Sequence, residues 1–308
     1  MKIRYLNREE IDNLKWDSCI HYALNGNIYG YTWYLDNSCE YWGGLVEGDY
    51  ESVFPLIWNK KFFGLPQLYQ PYFCQQLGVY SVNFLSKGRL KQFYDAIPER
   101  FRYINIQINE SNMLGENWGF NVMERSNYLL PLNKSYEELH AGYSTNLKRS
   151  LKKVPREELH VTQSIKPEAL VDLYRKYQGP KISAANEAVF HMAHRIIYNA
   201  LHRGLGFLSG IENKNGELIT GGFFLSSHSR IVNLIPATSP EGREVNGMHY
   251  LLDIIIMSNA GRPVVLDFEG SSVPSIARFF KSFGSEDYPY FQIIRNNLPF
   301  YLKWIKPS

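Results

Sequence analysis

Apolar and polar positions alternate most clearly in the second half of the chain. This period-two alternation, interrupted by turn residues, predicts strands at 205–212, 217–226 and 230–238, which form an antiparallel meander. A Gly-containing loop at 239–247 follows, and the pattern then predicts a helix at 248–259, a strand at 264–268, a helix at 275–283 ended by Gly284, and a last strand at 288–294.

Helix-start signals precede the meander. Ser135 with Glu138 three residues later is a capping-box pattern, so we expect a helix at 135–153 that breaks at Gly142 and ends before Pro155. A short strand at 160–164 and helices at 167–177 and 186–203 complete this half.

The first half repeats this order of elements more loosely. The pattern predicts strands at 3–6, 42–47, 51–58, 68–73, 103–109 and 128–132, and helices at 9–24, 29–35 and 90–97. We therefore expect an α+β protein with an N-terminal domain at 1–133 and a C-terminal domain at 134–308, each a mixed, mostly antiparallel sheet flanked by helices.

Three segments carry a resemblance to a known family. They are residues 143–149 (YSTNLKR), which open a basic helix, residues 267–270 (DFEG) at a strand end, and residues 280–284 (FKSFG). Together with the order of elements, they resemble the FemABX and GNAT N-acyltransferases in a tandem arrangement. The resemblance implies a donor cleft in the second half, transfer to an amine, and a degenerate first half that supports the acceptor side.

The resemblance also implies a phosphate-binding segment before the helix at 248–259. Here that segment includes Arg243, Asn246, Gly247 and Met248, and it lacks one glycine of the GNAT pattern. Pro236 cannot donate a ladder hydrogen bond, so we expect a bulge or an early strand end there that splays the strand from its parallel neighbour at 264–268. Free helix amides beside Gly247 suit an anion, although an exposed surface loop explains the segment equally well.

Candidate chemistry is concentrated near the C-terminus. Lys281 could stabilise a developing oxyanion or hold a phosphate, or it could be an ordinary solvated lysine, and Phe280 could stack on an adenine or pack in the core. Asp267 and Glu269 are two residues apart, so strand alternation places both on one face, where one could act as a general base. Alternatively, a strand-end acid caps the next helix.

A basic cluster follows Tyr143 and Asn146, which family analogy places at a substrate entrance. The cluster is either a solvated face or a contact for an anionic substrate such as a nucleotide-linked precursor, tRNA or headgroups; its members are Lys148, Arg149, Lys152, Lys153 and Arg156. In the first half, Trp33 and Gln75 are candidate acceptor-binding residues.

Composition narrows the class of protein. The 308 residues are 44% hydrophobic and 20% charged, with a net charge of +3, which alone does not argue for nucleic-acid binding. No apolar run reaches membrane-span length, no third ligand completes a metal site, and three cysteines lack pairing, so we expect a cytoplasmic protein without metal.

Three functions remain open from the sequence. The first is transfer from acyl-CoA to a small amine or amino-sugar. The second is Fem-type transfer from aminoacyl-tRNA to a peptidoglycan precursor. The third is a non-catalytic ligand-binding module on the same scaffold.

Overall fold

The computed structural model describes residues 2–62, 64–116, 118–181, 187–270 and 273–304. The chain forms two compact units, one from residues 1–125 with 289–308 and the other from residues 126–288. Each unit is a mixed sheet with helices against it, which confirms the predicted α+β class.

The sheet of the first unit contains a strand from the end of the chain. In order across the sheet, its path is β1 (Ile3–Asn7), β2 (Tyr41–Glu47), β3 (Ser52–Phe62), β4 (Leu65–Tyr69), β6 (Tyr103–Ile108), β15 (Tyr290–Asn296) and β7 (Asn121–Arg125), with β5 (Tyr80–Ser81) paired to β3. Its helices are α1 (Asn13–Tyr22), α2 (Thr32–Ser38), α3 (Lys87–Asp95) and α11 (Phe300–Lys303).

The sheet of the second unit runs β14 (Glu286–Asp287), β8 (Tyr128–Pro131), β13 (Val265–Asp267), β12 (Arg230–Thr238), β11 (Leu218–Ser227), β10 (Gly206–Asn213) and β9 (Leu159–Thr162). Its helices are α4 (Tyr136–Ala141), α5 (Thr145–Lys152), α6 (Pro167–Tyr177), α7 (Glu187–His202), α8 (Pro240–Glu244), α9 (Gly247–Asn259) and α10 (Pro274–Lys281). From α4 to α10 the second unit has the predicted order of elements, with one short helix, α8, in the segment 239–247 that was predicted to be a loop.

Two predicted strands pair with a different sheet from the one expected. The strand predicted at 128–132 as the close of the first half is β8, which pairs with β13 and β14 of the second unit. The strand predicted at 288–294 as the close of the second half is β15, which lies between β6 and β7. The bounds of the compact units therefore differ from a division at residue 133, because strand alternation does not encode the partner strand.

Local signals specify the helices well. Ser135 accepts from the Glu138 amide while the Glu138 carboxylate accepts from the Ser135 amide, so the predicted capping box is present, and the helix breaks at Gly142 as expected. The single helix predicted at 9–24 is instead a 3-10 turn followed by α1. The second helix begins there because the Asp12 side chain accepts hydrogen bonds from the Leu14 and Lys15 amides. The first predicted residue of α7, Asn186, lies outside the described residues.

A layer of aromatic and aliphatic side chains joins α9 and α10 to the sheet of the second unit. It is buried, and it includes Leu252, Ile255, Ile256, Phe268, Phe280 and Phe283. Burial of such side chains stabilises the unit by about 1.5–3 kcal/mol each. This layer holds α9 and α10 against the sheet of the second unit.

Candidate active site

Strand β12 extends beyond the end of β13 in the second unit. Within the described residues the parallel pairing of β12 with β13 covers residues 230–232, whereas pairing with β11 continues to Thr238. Leu234 is an extra residue between the paired positions Asn233 and Ile235, so β12 contains a bulge. Pro236 follows in the part of the strand that has no β13 partner and stays paired with Gly222, so the expected bulge is present two residues before it. The expected splay from β13 stays a prediction.

Asn233 directly follows Val232, the last residue of β12 that pairs with β13. Its side chain is 2% exposed, and its Oδ1 atom has no hydrogen-bond partner in the described part of the chain. A buried carbonyl left unpaired costs about 1–3 kcal/mol. The Asn233 Oδ1 atom, on the part of β12 beyond β13, is suited to accept a hydrogen bond from a ligand amide or amine. Sequence reasoning did not identify Asn233, because an asparagine within an apolar strand has no motif.

The N-terminus of α9 lies close against β11. A Cβ atom added to Gly247 would be 2.4 Å from the Thr220 Oγ1 atom, so the close approach requires glycine. Asn246 precedes the helix in a left-handed conformation with φ of 59°. The first amides of an α-helix have no intrahelical acceptor, and here the Asn246 side chain does not cap them. Arg243 is exposed on the short helix α8, and the half-buried Met248 packs on the core.

A cavity of about 460 Å³ opens between the starts of α5 and α9 and the end of α10. Lys281, the predicted Asn146, Arg278 and His249 line it, together with Ser150 and Ser282. The Lys281 Nζ atom lies 5.5 Å from the ring centre of Tyr128. Two exposed cations beside a helix N-terminus favour an anionic group.

His249 contributes a neutral ring to this cavity. Its imidazole meets Phe279 edge-on with ring centres 4.9 Å apart, and burial lowers the pKa of His249 below its ordinary value. A neutral imidazole can accept a proton at neutral pH. Sequence reasoning missed this residue because its distance along the chain from other histidines argued only against a metal site.

Two of the three segments that carried the family resemblance, 143–149 and 280–284, meet at this cavity. The Ser144 amide donates to the Ser282 carbonyl at 2.8 Å, and the buried Tyr143 ring meets Phe283 edge-on at 5.5 Å. Ser144 also caps α5 by accepting from the Leu147 amide. Tyr143 therefore has a packing role in this structure.

The predicted carboxylate pair does not share one face. Strand β13 ends at Asp267, and Glu269 has a φ of 58°, so strand alternation does not reach it. Asp267 is 3% exposed; its carboxylate accepts from Arg230 at 3.1 Å and from the Glu269 amide at 2.9 Å. These contacts hold the turn after β13, and they do not cap α10, whose N-cap is Val273.

The other predicted residues are spread over both units. Phe280 is buried and stacks on Phe268 with ring centres 5.1 Å apart, which is core packing. Arg149 is exposed on α5. In the first unit, Trp33 is buried against Tyr34, and the Gln75 side chain accepts from Gln76 at 2.9 Å.

Metal and membrane features are missing from the described residues. No group of three His, Cys, Asp or Glu side chains there could hold a metal ion. Among the described helices, none has the length and apolar character needed to span a bilayer.

No protein-family model and no curated protein sequence matches the chain. Solved structures do. FemX is 15% identical with a TM-score of 0.67, covering 95% of this chain and 97% of its own. A conserved protein of unknown function from Bacteroides thetaiotaomicron is 11% identical with a TM-score of 0.61, covering 96% and 100%. L-PGS from Bacillus licheniformis is 12% identical with a TM-score of 0.52, covering 86% and 87%.

These likenesses cover nearly the whole chain at low sequence identity, so they establish the fold. The protein therefore has a FemX-like α+β fold.

Proposed function

We propose that the protein is an N-acyltransferase that moves an acyl group from acyl-CoA to an amine. The observation that carries the proposal is the length of β12 beyond the end of β13, beside the unpaired Oδ1 atom of buried Asn233. An extended donor arm with amide groups can pair with the free edge of β12, as an added strand would. The FemX-like fold supports this assignment.

The cavity between α5, α9 and α10 supports the same donor. The phosphate groups of a coenzyme A thioester would meet Lys281, Arg278 and the first amides of α9. The acyl carbonyl would then lie toward the part of β12 that extends beyond β13. The cavity itself is large enough for a phosphate-bearing part of the donor.

The reaction needs a free amine, a polarised carbonyl and a route for one proton. The amine nitrogen attacks the thioester carbon, the carbon–sulfur bond breaks, and an amide and a thiol form. The amine proton must reach a base and finally the leaving thiolate. His249 is our candidate for that base, because its lowered pKa keeps the ring neutral at pH 7.

Calorimetric titration with acetyl-CoA tests the donor assignment. We expect a dissociation constant of about 1 mM or tighter for the unaltered protein. Lys281→Ala together with Arg278→Ala should weaken this affinity about tenfold or more, because charge-assisted contacts to phosphate are lost. Lys214→Ala, which alters an exposed turn lysine of the same unit, is the matched control and should leave the affinity unchanged.

An aminoacyl-tRNA donor is the second candidate, and the exposed basic face of α5 favours it. Arg149, Lys152 and Lys153 project from this helix. tRNA binding through such a face would weaken steeply as salt is raised. Silence toward acetyl-CoA with salt-sensitive tRNA binding would replace the first proposal by the second, and silence toward both would indicate a non-catalytic module.

A further inference from the structure

A second and larger cavity lies on the other side of α5 in the second unit. It has a volume of about 840 Å³ and opens between α4, the end of α5 and the middle of α9. Its wall includes Tyr136 and Asp253, and neither residue belongs to the cavity that contains Lys281. Nothing in the proposed acyl transfer uses it.

The floor of this cavity is a buried carboxylate. Asp253 is 4% exposed, and its Oδ1 atom accepts from the Tyr136 hydroxyl at 2.9 Å. Among the described residues no Lys or Arg forms an ion pair with it. A buried carboxylate without a cationic partner is expensive, so the site is suited to a cation brought by a ligand.

The surroundings of Asp253 suit a primary ammonium group. Burial, and after it the Asp253 carboxylate, raises the pKa of both Tyr136 and Tyr143, so both hydroxyls stay protonated. The rings of Tyr136 and Tyr143 lie 5.7 Å and 5.1 Å from the His140 ring. Aromatic rings beside a carboxylate are a recurrent setting for ammonium groups.

The rim of the cavity supplies the opposite charge. Lys148, Lys152 and Arg156 line it, and the Arg156 guanidinium lies over the Tyr250 ring at 5.2 Å. Glu157 and Glu158 lie on the same rim, so with Asp253 the lining has three cationic and three anionic side chains. A ligand that carries both an ammonium group and an anionic end can pair with charges of both signs in this lining.

We propose that this cavity binds a small zwitterion whose primary ammonium group pairs with Asp253 and whose carboxylate or phosphate pairs with Lys152 and Arg156. The chemical class is an α-amino acid or an aminoalkyl phosphate. This ligand is held in a site separate from the acyl donor. The bonds are ionic and reversible, so no covalent step is involved.

Titration of the whole protein with L-alanine and with O-phosphoethanolamine tests the proposal without any acyl donor. We expect saturable binding of at least one of them, and the tighter one identifies the anionic end. Propionate and ethyl phosphate keep the anionic ends but lack the ammonium group, and each should bind at least tenfold more weakly than its amine counterpart. Because coenzyme A takes no part, the result is independent of the proposed acyl transfer.

Three variants locate the binding. Asp253→Asn keeps the side-chain shape and should weaken zwitterion binding at least tenfold, with acetyl-CoA affinity unchanged. The double variant Lys152→Ala and Arg156→Ala alters exposed residues, so it should fold normally and also lose affinity. Lys153→Ala, on the same exposed stretch but outside the cavity lining, should bind as the unaltered protein does.

Two results would overturn the proposal. The first is no saturable binding of either zwitterion. The second is equal affinity of the unaltered protein and the double rim variant, which would place the bound molecule elsewhere.

Discussion

At the scale of single residues, the candidate active site depends on side chains whose burial in the fold is not predicted by the neighbouring sequence. His249 is half-buried against Phe279, and Asn233 is buried with an unpaired Oδ1 atom. Both properties arise from packing between distant segments of the second unit. Each leads to a measurable consequence.

The pKa of His249 is lowered by burial below its ordinary value of 6.5, so the folded protein keeps the ring neutral. As pH falls through 6.5, the unfolded chain takes up a proton that the folded chain does not, so stability should fall between about pH 7 and pH 5. Proton NMR should show a His249 titration midpoint below 6.5. His249→Gln should lose less stability over the same range, and a midpoint at or above 6.5 would contradict the interpretation.

Asn233→Leu should separate stability from function. The substitution keeps the branched arrangement of side-chain heavy atoms and removes an unpaired buried carbonyl, so we expect the free energy of unfolding to rise by about 1–2 kcal/mol. Acetyl-CoA affinity should fall, because the Oδ1 hydrogen-bond acceptor on β12 is gone. Denaturant unfolding and calorimetry measure the two effects. Lower stability with unchanged affinity would show that Asn233 has only a structural role.

At the scale of elements, two features position the site. The bulge at Leu234 with Pro236 frees the edge of β12, and the glycine at the start of α9 lets that helix lie against Thr220. The bulge could be expected from the sequence, since proline cannot donate in a ladder. The need for Gly247 could not, because the atom it avoids belongs to a strand 27 residues earlier.

Gly247→Ala should displace the N-terminus of α9. The added methyl would be 2.4 Å from Thr220 Oγ1, so we expect a destabilisation of about 1–3 kcal/mol and weaker acetyl-CoA binding. Gly88→Ala is the matched control near the start of α3, where a Cβ meets nothing within 4 Å and helix propensity favours alanine. Thermal unfolding of both variants measures the difference. Equal melting temperatures would mean that α9 adapts without cost.

At the scale of the whole molecule, the chain path decides which segments fold together. Unit 126–288 is continuous, and its sheet needs no strand from outside that range. The first unit needs β15, which lies between β6 and β7 and contributes the buried Ile293 to the core.

Fragments of the chain should therefore behave differently. A fragment of residues 126–288 should unfold cooperatively by itself, whereas a fragment of residues 1–133 should not, because β7 loses its partner and the core loses Ile293. Adding a peptide of residues 289–308 to a fragment of residues 1–125 should restore structure. Circular dichroism melts check each case. Cooperative unfolding of 1–133 alone would show that β15 is dispensable.

The sequence by itself determined the types and order of most elements, because periodicity and caps such as Ser135 act over a few residues. It also indicated Lys281 and Asn146, which line one cavity. The tertiary structure decided the partners of β8 and β15, the packing of Phe280 and Tyr143, and the turn held by Asp267. It also decided the surroundings of Asn233, of His249 and of Asp253, each at its own place in the second unit. Burial and charge pairing between distant segments depend on the folded chain, so local patterns do not contain them.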